Sequence, residues 1–273
     1  MRRFEFAGTT AVVTGAASGI GRGTALALAA RGCALALVDR DAAGLARVAH
    51  TISGVRVSTH TLDLADAAAV AALPAAVVAA HGGVAVLVNC AGVALAGTFS
   101  ELTIDEFDWL FTINFHAPVA LTKSFLPLLA QQPQAQIVNI SSIFGIIAPA
   151  TQTAYAAAKF ALRGFSEALR HELAGSNISV TVVHPGGIAT NIATGARIAA
   201  AADAAATRLA LVEFNRSLVL SPELAGAQIV AAIHRRQPRL LVGRDAHLLA
   251  AIQRVLPVHY WAVLRVLYAR ALR

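Results

Sequence analysis

Short apolar runs alternate along this chain with longer stretches, rich in Ala and Leu, that are typical of helices. The runs lie near residues 10–14, 33–38, 55–60, 84–88, 136–140, 178–183 and 239–242. Several are apolar throughout instead of alternating with polar residues, as in parallel strands whose two faces are both covered by helices. Seven such strands with helical crossovers predict an α/β fold, a doubly wound seven-stranded parallel sheet whose ligand crevice lies at the carboxyl ends of the strands.

The chain has no linker-like stretch and no repeat with a period of 20–50 residues. We therefore expect a single domain over residues 1–273. The Ala-rich tract at 196–210 predicts a helix, which would belong to a cap over the crevice near residues 187–216. An amphipathic tail follows at residues 245–273, and Pro257 should divide it into two helices.

On a helical wheel, the last helix of this tail has arginines on one side and large apolar residues on the other. The arginines are Arg265, Arg270 and Arg273, and the apolar residues are Trp261, Leu264, Leu267 and Tyr268. Such a helix can lie in a membrane interface, or it can pack on the protein and close a substrate pocket. We expect the packed arrangement, with peripheral membrane contact as the alternative.

The composition supports a large buried core, because 57% of the residues are hydrophobic and 14% are charged. The net charge of +7 comes without a cluster of basic residues interleaved with aromatics, so we expect no nucleic-acid partner. No secretory signal and no run of eighteen apolar residues is evident. Cys33 and Cys90 lie in or at the end of strand-like runs, where buried free thiols are usual, and this predicts a cytoplasmic location.

A glycine-rich turn, TGAASGIG from Thr14 to Gly21, connects the first predicted strand to a helix. Glycines let the backbone approach a pyrophosphate, and the N-terminus of the following helix favours the negative charge. The candidate contacts are Gly15, Ser18, Gly19, Ile20 and Gly21. The spacing is TGxxxGxG, not GxGxxG, and by itself such a turn can be a plain strand-to-helix connection.

Asp39 ends the second predicted strand, where a carboxylate can accept hydrogen bonds from both hydroxyls of an adenosine ribose. A 2′-phosphate at that place would be repelled, so Asp39 favours NAD over NADP. Arg40 follows directly, and its guanidinium could turn toward a phosphate, which leaves NADP possible.

Polar and small residues also follow the third and fourth predicted strands. Asp63 and Leu64, in TLDL, would lie near the adenine, although a carboxylate that caps a helix is an equal alternative for Asp63. Asn89, Ala91 and Gly92, in NCAG, could line the adenosine side of the crevice through backbone and amide contacts.

Tyr155 and Lys159 are four residues apart, on one face of a helix expected over residues 152–174. A phenol is a weak base at neutral pH, and a nearby ammonium should lower its pKa toward a useful range for acid/base chemistry. Ser142 ends the strand IVNISS and can orient a substrate oxygen. Asn114, within a helix expected from about Thr103 to Leu129, would either face solvent or anchor a water that links Lys159 to solvent.

Taken together, these motifs resemble those of the short-chain dehydrogenase/reductase family, whose fold is Rossmann-like. The resemblance covers residues 9–190, from TGAASGIG through NCAG, NISS and YAAAK to HPGGIAT. It implies a catalytic tetrad of Asn114, Ser142, Tyr155 and Lys159, in which Tyr155 is the acid/base and Lys159 also binds the nicotinamide ribose. It further implies that a loop containing Pro185, Gly186, Ile188 and Thr190 contacts the nicotinamide. The sequence departs from the usual pattern at Cys90, where a second Asn is common.

Two other classes of chemistry are disfavoured. The nine histidines are scattered, without HExxH or matched Cys/His spacing, so no metal site is expected. The GxSxG elbow of serine hydrolases is absent from the sequence.

The sequence therefore predicts an NAD(P)-dependent alcohol dehydrogenase or carbonyl reductase. Apolar side chains near the crevice, among them Val93, Leu95, Phe144, Ile146 and Ile147, predict a lipophilic secondary alcohol or ketone as substrate. The alternatives are a 3-oxoacyl thioester reductase and, in a different class, a dinucleotide-sensing scaffold without catalysis. Helices at 103–130 and 152–174 with few outer charges, together with the family resemblance, predict a homodimer or homotetramer.

Overall fold

The computed structural model describes the backbone of residues 3–271 and the side chains of residues 3–265. Seven strands form the central sheet: β1 (Thr10–Thr14), β2 (Ala34–Asp39), β3 (Val57–Thr61), β4 (Val86–Asn89), β6 (Ala135–Ile140), β7 (Ile178–Pro185) and β9 (Arg239–Val242). Their order is β3-β2-β1-β4-β6-β7-β9, and every pairing is parallel. The predicted doubly wound sheet is confirmed.

Helices cover both faces of this sheet. In chain order they are α1 (Gly19–Ala29), α2 (Ala42–Thr51), α3 (Ala67–His81), α4 (Ile104–Phe111), α5 (Ala117–Ala130), α6 (Thr153–Glu172), α7 (Ala204–Arg216), α8 (Pro222–Arg235), α9 (Arg244–Val255) and α10 (Tyr260–Ala271). Alternate residues of β1 show the two-sided core. Ala11 and Val13 pack with α1, α2 and α8, whereas Val12 packs with α3 and α5.

The helix expected from about Thr103 to Leu129 is not a single α-helix. Its first part, α4, ends at Phe111, and the wider π-helix Thr112–His116 separates it from α5. Asn114 lies within this π segment and is fully buried, so the prediction that it might face solvent is wrong. Segments of π-helix often occur at functional sites, because the extra residue per turn changes where side chains point.

The expectation of a helix over 196–210 is also wrong at its start. Residues Arg197–Ile198 form β8, which pairs in parallel with β5 (Leu95–Ala96) in a separate two-stranded ribbon. Helix α7 begins only at Ala204, because the Asp203 carboxylate accepts hydrogen bonds from the amides of Ala205 and Ala206.

Two contacts attach the beginning of the predicted cap to α4. The Arg197 guanidinium lies 4.7 Å from the centre of the Trp109 ring, and the amide of Ala200 donates to the Glu106 carboxylate at 3.1 Å. Helix α7 itself contributes no buried residue, so the cap is held mainly at its start.

The tail has the two predicted helices, because α9 ends at Val255 and α10 begins at Tyr260, on either side of Pro257. Trp261 and Leu264 pack with Ile143, Ile146 and Ile147, next to the strand end that carries Ser142. This part of the tail is therefore packed on its own domain. Arg265 is exposed, and the side chains of Leu267, Tyr268, Arg270 and Arg273 lie outside the described residues. Between residues 3 and 271, no helix has the length and apolar character that a membrane span needs.

Helices α1 and α8 cross with their backbones in contact. A Cβ atom on Gly226 would lie 2.2 Å from the carbonyl carbon of Gly23, and one on Gly23 would lie 2.2 Å from the carbonyl oxygen of Pro222. Real Cβ atoms do not approach backbone atoms so closely. Glycine is therefore required at this crossing, although it weakens a helix by about 1 kcal/mol relative to alanine.

We predict that Gly226→Ala lowers the free energy of unfolding by about 1–3 kcal/mol, because the methyl group would force α1 and α8 apart. The control is Gly164→Ala in α6, where a Cβ would meet no atom within 4 Å. This variant should be neutral or more stable by up to about 1 kcal/mol, since only helix propensity changes. Urea denaturation of both variants measures the difference, and equal stabilities would contradict the packing argument.

Candidate active site

The glycine-rich turn lies where β1 meets α1. A Cβ on Gly21 would lie 2.1 Å from the carbonyl oxygen of Gly15, and one on Gly15 would lie 2.9 Å from the Cα of Ala91. The turn is thus closed on itself and against the segment after β4. On its other side, Thr190 Cγ2 lies 3.1 Å from the place a Cβ would take on Gly19. The turn and the loop after β7 therefore border one crevice, which includes Ser18 and Ile20 at the start of α1.

Thr14 connects this turn to the segment NCAG. Its hydroxyl oxygen accepts hydrogen bonds from the amides of Cys90 and Ala91, at 3.0 and 3.1 Å. The Asn89 side chain, in contrast, is buried between β4, β6 and α5, where its amide donates to Asn139 at 2.8 Å. Because the Asn89 side chain is buried in the core, only the residues of NCAG that follow it can border the crevice.

Asp39 stands at the carboxyl end of β2, with its carboxylate turned toward the glycine-rich turn. One oxygen accepts a hydrogen bond from the amide of Ala17 at 3.1 Å, and the other from the amide of Asp41 at 3.1 Å. These bonds fix the carboxylate while leaving it partly exposed. Arg40 is exposed and points away from the core.

Asp63 and Leu64 follow β3 on the same edge of the sheet. The Asp63 carboxylate is exposed and accepts a hydrogen bond from the amide of Ala65 at 2.9 Å, so it stabilises its own turn. The helix cap in this region is a different residue, Asp66, which accepts from the amides of Ala68 and Ala69. The interaction of Asp63 with an adenine stays a prediction.

Ser142 and Tyr155 meet at the carboxyl end of β6. The Ser142 hydroxyl oxygen accepts a hydrogen bond from the amide of Phe144 at 3.1 Å, which fixes its side chain at the start of the 3₁₀ turn Ile143–Gly145. Tyr155 lies in the first turn of α6, and its phenol is close enough to the Ser142 side chain for that side chain to oppose part of the rise in its pKa. Its ring packs edge-on against Phe144, with 6.2 Å between the ring centres.

The prediction that Lys159 lowers the pKa of Tyr155 is wrong for this structure. Burial raises the pKa of the Tyr155 phenol to about 12, and the hydrogen bond with Ser142 opposes the shift only in part. Lys159 directs its ammonium elsewhere, since Nζ donates to the carbonyl oxygen of Ile140 at 3.0 Å and lies 5.6 Å from the centre of the Tyr155 ring. Burial also lowers the pKa of Lys159 to about 8.

Asn114 connects the π-helix to the end of NCAG. Its amide oxygen accepts from the backbone amide of Val93, and its amide nitrogen donates to the carbonyl of the same residue, both at 2.9 Å. A Cβ atom added to Gly92 would lie 3.1 Å from Asn114 Oδ1 and 3.4 Å from Lys159 Nζ. Asn114 and Lys159 are therefore neighbours, and a water between them stays a prediction.

His184 precedes the loop after β7, and the sequence favours a structural role for it over a role in binding. It is fully buried in β7, and its Nδ1 lies 2.9 Å from the carbonyl oxygen of Ser142. Because a carbonyl oxygen only accepts, Nδ1 carries the proton in this tautomer and donates it. The position next to Pro185 was the only signal in the sequence, and it did not identify the partner.

The loop after β7 is held by hydrogen bonds on both sides. The amide of Gly186 donates to Val242 at 2.8 Å, and the amide of Ala189 donates to Leu220 at 2.8 Å. Pro185 and Ile188 are buried, whereas Thr190 reaches the glycine-rich turn. The four residues that the resemblance assigned to this loop thus lie along one border of the crevice.

Comparisons with known proteins decide the family. The profile of the short chain dehydrogenase family matches residues 9–200. SadH of Mycobacterium tuberculosis, which is named as an oxidoreductase, is 41% identical over 262 residues, or 94% of each chain. The chain belongs to the short-chain dehydrogenase/reductase family. It is an oxidoreductase of that family, and its sheet with the motifs at the carboxyl edge has the family's arrangement.

Two solved structures of this family are similar over nearly their whole length. A short-chain dehydrogenase/reductase of Burkholderia phymatum in complex with NAD is 30% identical, with a TM-score of 0.85 over 93% of this chain and 95% of that one. A metagenomic short-chain oxidoreductase in complex with NADP is 30% identical, with a TM-score of 0.71 over 88% of this chain and 98% of the other. Neighbours of this fold thus bind either dinucleotide.

The crevice fits a nicotinamide dinucleotide. The backbone of the Gly15–Gly21 turn is exposed to the crevice without side chains, because added Cβ atoms would meet Ala91 and the turn's own backbone. The Asp39 carboxylate is fixed beside the turn, and Ser142 and Tyr155 lie at the carboxyl end of β6 on the same edge of the sheet. Among the described residues, no group of three or more His, Cys, Asp or Glu side chains is placed to hold a metal ion.

We predict that His184 makes the protein sensitive to acid. Burial lowers its pKa from 6.5 to about 4, against the opposing hydrogen bond to Ser142. Between these two pH values the unfolded chain binds a proton that the native state does not, so the free energy of unfolding falls as the pH falls through this window. At about 1.4 kcal/mol for each pH unit, the loss due to His184 is about 2–3 kcal/mol.

The test is urea denaturation of the wild type and His184→Asn at pH 7 and pH 4.5. The Asn amide can still donate to the Ser142 carbonyl but does not titrate, so the variant should lose less stability on acidification. Identical losses in both proteins would show that another group causes the acid sensitivity.

Proposed function

We propose that the protein interconverts a hydrophobic secondary alcohol and its ketone by hydride transfer, with NAD(H) as the favoured cofactor. The observation that carries this proposal is the meeting of Tyr155 and Ser142 at the carboxyl end of the sheet, with Lys159 one helical turn further along α6. The family gives the coarser activity, that of an oxidoreductase. The finer substrate class comes from the surroundings of Tyr155.

Each catalytic residue has a role that its position supports. Bound nicotinamide would supply or accept the hydride. A pKa of about 12 keeps the Tyr155 phenol protonated near neutral pH, which is the form that donates a proton to a carbonyl oxygen. Ser142 would hold that oxygen in place, because its own side chain is fixed by the Phe144 amide. Lys159 and Asn114 would support the nicotinamide ribose and the proton path.

The proposed cofactor preference rests on Asp39. Its carboxylate is held by two backbone amides at 3.1 Å and would repel a 2′-phosphate. Arg40, exposed beside it, is the residue that could accept NADP if the carboxylate were removed. One similar structure holds NAD and another holds NADP, so support for NAD comes from this chain's own residues.

The proposed lipophilic substrate follows from the apolar surroundings of Tyr155. Leu95, Leu110 and Ala154 form a buried cluster against which Val93 and Tyr155 pack. The Phe144 ring packs edge-on against the tyrosine ring, whereas Ile146 and Ile147 are buried against the tail and do not face a substrate. A pocket with apolar walls and few polar groups favours an apolar ligand with one oxygen to be held.

Reduction of 3-oxoacyl thioesters is the second candidate, since a basic surface could recruit an acidic carrier protein. Asp39 argues against it, because biosynthetic reductases of this kind use NADP. A dinucleotide-sensing scaffold would have no need of the Ser142–Tyr155 pair. Initial rates with apolar alcohols and ketones, and with a 3-oxoacyl thioester, each with NAD(H) and NADP(H), separate these three functions.

We further propose a homodimer or homotetramer, because Ile104 in α4 and Phe160 in α6 are exposed large apolar residues on helices that could meet a second copy. Light scattering that gave the mass of one chain would contradict this.

We also propose a cytoplasmic location, since Cys33 and Cys90 are both free thiols. Fractionation of the cells that express the protein checks it.

We predict that Tyr155→Phe lowers kcat at least a hundredfold while NADH binding changes less than threefold. The substitution removes only the phenolic oxygen, so the packing against Phe144 remains. Steady-state kinetics and NADH fluorescence titration measure the two quantities. Retention of more than a tenth of kcat, which is a change of only about 1.4 kcal/mol in the barrier, would sink the assignment of Tyr155 as the acid/base.

We predict that Asp39→Ser weakens NAD and improves NADP, so that the ratio of their kcat/KM values shifts at least tenfold toward NADP. The serine lacks the charge that repels a 2′-phosphate, and Arg40 becomes free to bind it. Asp63→Ser serves as the control at the next strand end, where the ratio should change little. A wild-type preference for NADP would show that our interpretation of Asp39 is wrong.

A further inference from the structure

The segment after β9 touches two loops that border the candidate site. Its first helix, α9, reaches the loop after β7, and its second helix, α10, reaches the loop after Ser142. These contacts are made by residues that lie after the part of the chain matched by the family profile, which ends at residue 200. In both contacts a side chain of the later segment accepts a hydrogen bond from a backbone amide of the loop, so the contact helps to fix the position of that loop.

The first contact is made by Asp245, in the first turn of α9. The amide of Gly187 donates to the Asp245 carboxylate at 2.6 Å. A Cβ on Gly186 would lie 2.2 Å from the same carboxylate, so the carboxylate fits against the loop only because residue 186 is glycine. The Gly186 amide is held in addition by Val242, the last residue of β9. The loop therefore rests on β9 and on the residue that opens α9.

The second contact is made by Tyr260, the first residue of α10. Its hydroxyl oxygen accepts a hydrogen bond from the amide of Ala148 at 2.9 Å. Trp261 and Leu264 pack on Ile146 and Ile147 of the same loop. This loop begins at Ser142 and contains Phe144, whose ring packs on Tyr155. A shift of the loop would therefore move the apolar wall beside the catalytic tyrosine.

We propose that Asp245 and Tyr260 are positioning residues of the active site: Asp245 fixes the loop that borders the nicotinamide, and Tyr260 fixes the loop that borders the substrate. The proposal rests on the proposed function, which assigns these two loops their ligands. It extends that function by giving the C-terminal segment two separable effects, one on cofactor affinity and one on substrate affinity.

The first experiment measures NADH affinity by fluorescence titration, which needs no turnover. Asp245→Ala should raise the Kd at least fivefold, because Gly187 loses its acceptor. Asp245→Asn should stay within twofold of the wild type, since its amide oxygen can still accept from Gly187. Asp66→Ala is the matched control, because it removes a carboxylate that also accepts from backbone amides at a helix start. An unchanged Kd in Asp245→Ala, or an equal loss in Asp245→Asn, overturns the role of Asp245.

The second experiment compares Tyr260→Phe with Val258→Ala, an exposed position of the same segment. Tyr260→Phe should raise the substrate KM at least threefold, leave the Kd for NADH within twofold, and speed deuterium uptake by residues 143–152. Val258→Ala should change none of the three. Unaltered exchange and KM in Tyr260→Phe, or an equal effect on NADH, overturns the role of Tyr260.

Failure of the proposed function would look different. If the wild type binds neither NADH nor NADPH, the assigned function is wrong. If it binds NADH and both variants behave as the wild type does, the function can stand and the positioning roles are wrong. The exchange measurement at residues 143–152 tests the Tyr260 contact even with an unidentified substrate.

Discussion

Parallel pairing of β1, β4, β6 and β7 is the constraint from which the candidate site follows. Because these strands run in the same direction, the segments that leave them all emerge at one edge of the sheet. That edge gathers the glycine-rich turn, NCAG, Ser142 and the loop after His184, which are far apart in the sequence. The Thr14 hydroxyl, which accepts from the amide of Cys90, and His184, which donates to the carbonyl of Ser142, then fix adjacent strand ends to each other.

Burial sets the electrostatics of the site more strongly than proximity does. Tyr155 and Lys159 are only one helical turn apart, yet the pKa of the phenol is raised to about 12 and that of the ammonium is lowered to about 8. Both shifts have the same largest cause, which is removal from water. Burial disfavours the charged forms of both residues, and with a pKa of about 12 the phenol stays neutral near pH 7. Added positive charge near the phenol would be needed to reverse its shift.

The sequence predicted the sheet well because hydrophobic runs are a direct consequence of two-sided burial. The expected strands at 55–60, 84–88 and 178–183 differ by about two residues from β3, β4 and β7. Among the site residues, Asp39, Ser142 and Tyr155 lie where the motifs predicted, since each is tied to the end of a strand or to a helical spacing.

Other features depend on long-range contacts that leave no periodic signal. The π-helix around Asn114 is stabilised by the pairing of its side chain with Val93, twenty-one residues away. The β5–β8 ribbon has only two residues in each strand, too few for a pattern. The side chain of Asn89 turned into the core because Asn139 on the neighbouring strand offered it a buried partner. In each of these places the tertiary partner decides the local conformation.

The residues matched by the family profile and the residues after it contribute differently to the candidate site. Residues 9–200, which the family profile matches, include the glycine-rich turn, Asp39 and the side chains of the candidate active site. The elements after residue 200 pack on the loops beside those residues, through Trp261 and Leu264 at the substrate side. A change in those later elements can reshape the apolar wall near Phe144 without moving Tyr155, which is anchored by α6. Changes after residue 200 would therefore alter the surroundings of the candidate site, through Asp245 and Tyr260 as well as through these apolar contacts, while the motif residues themselves stay the same.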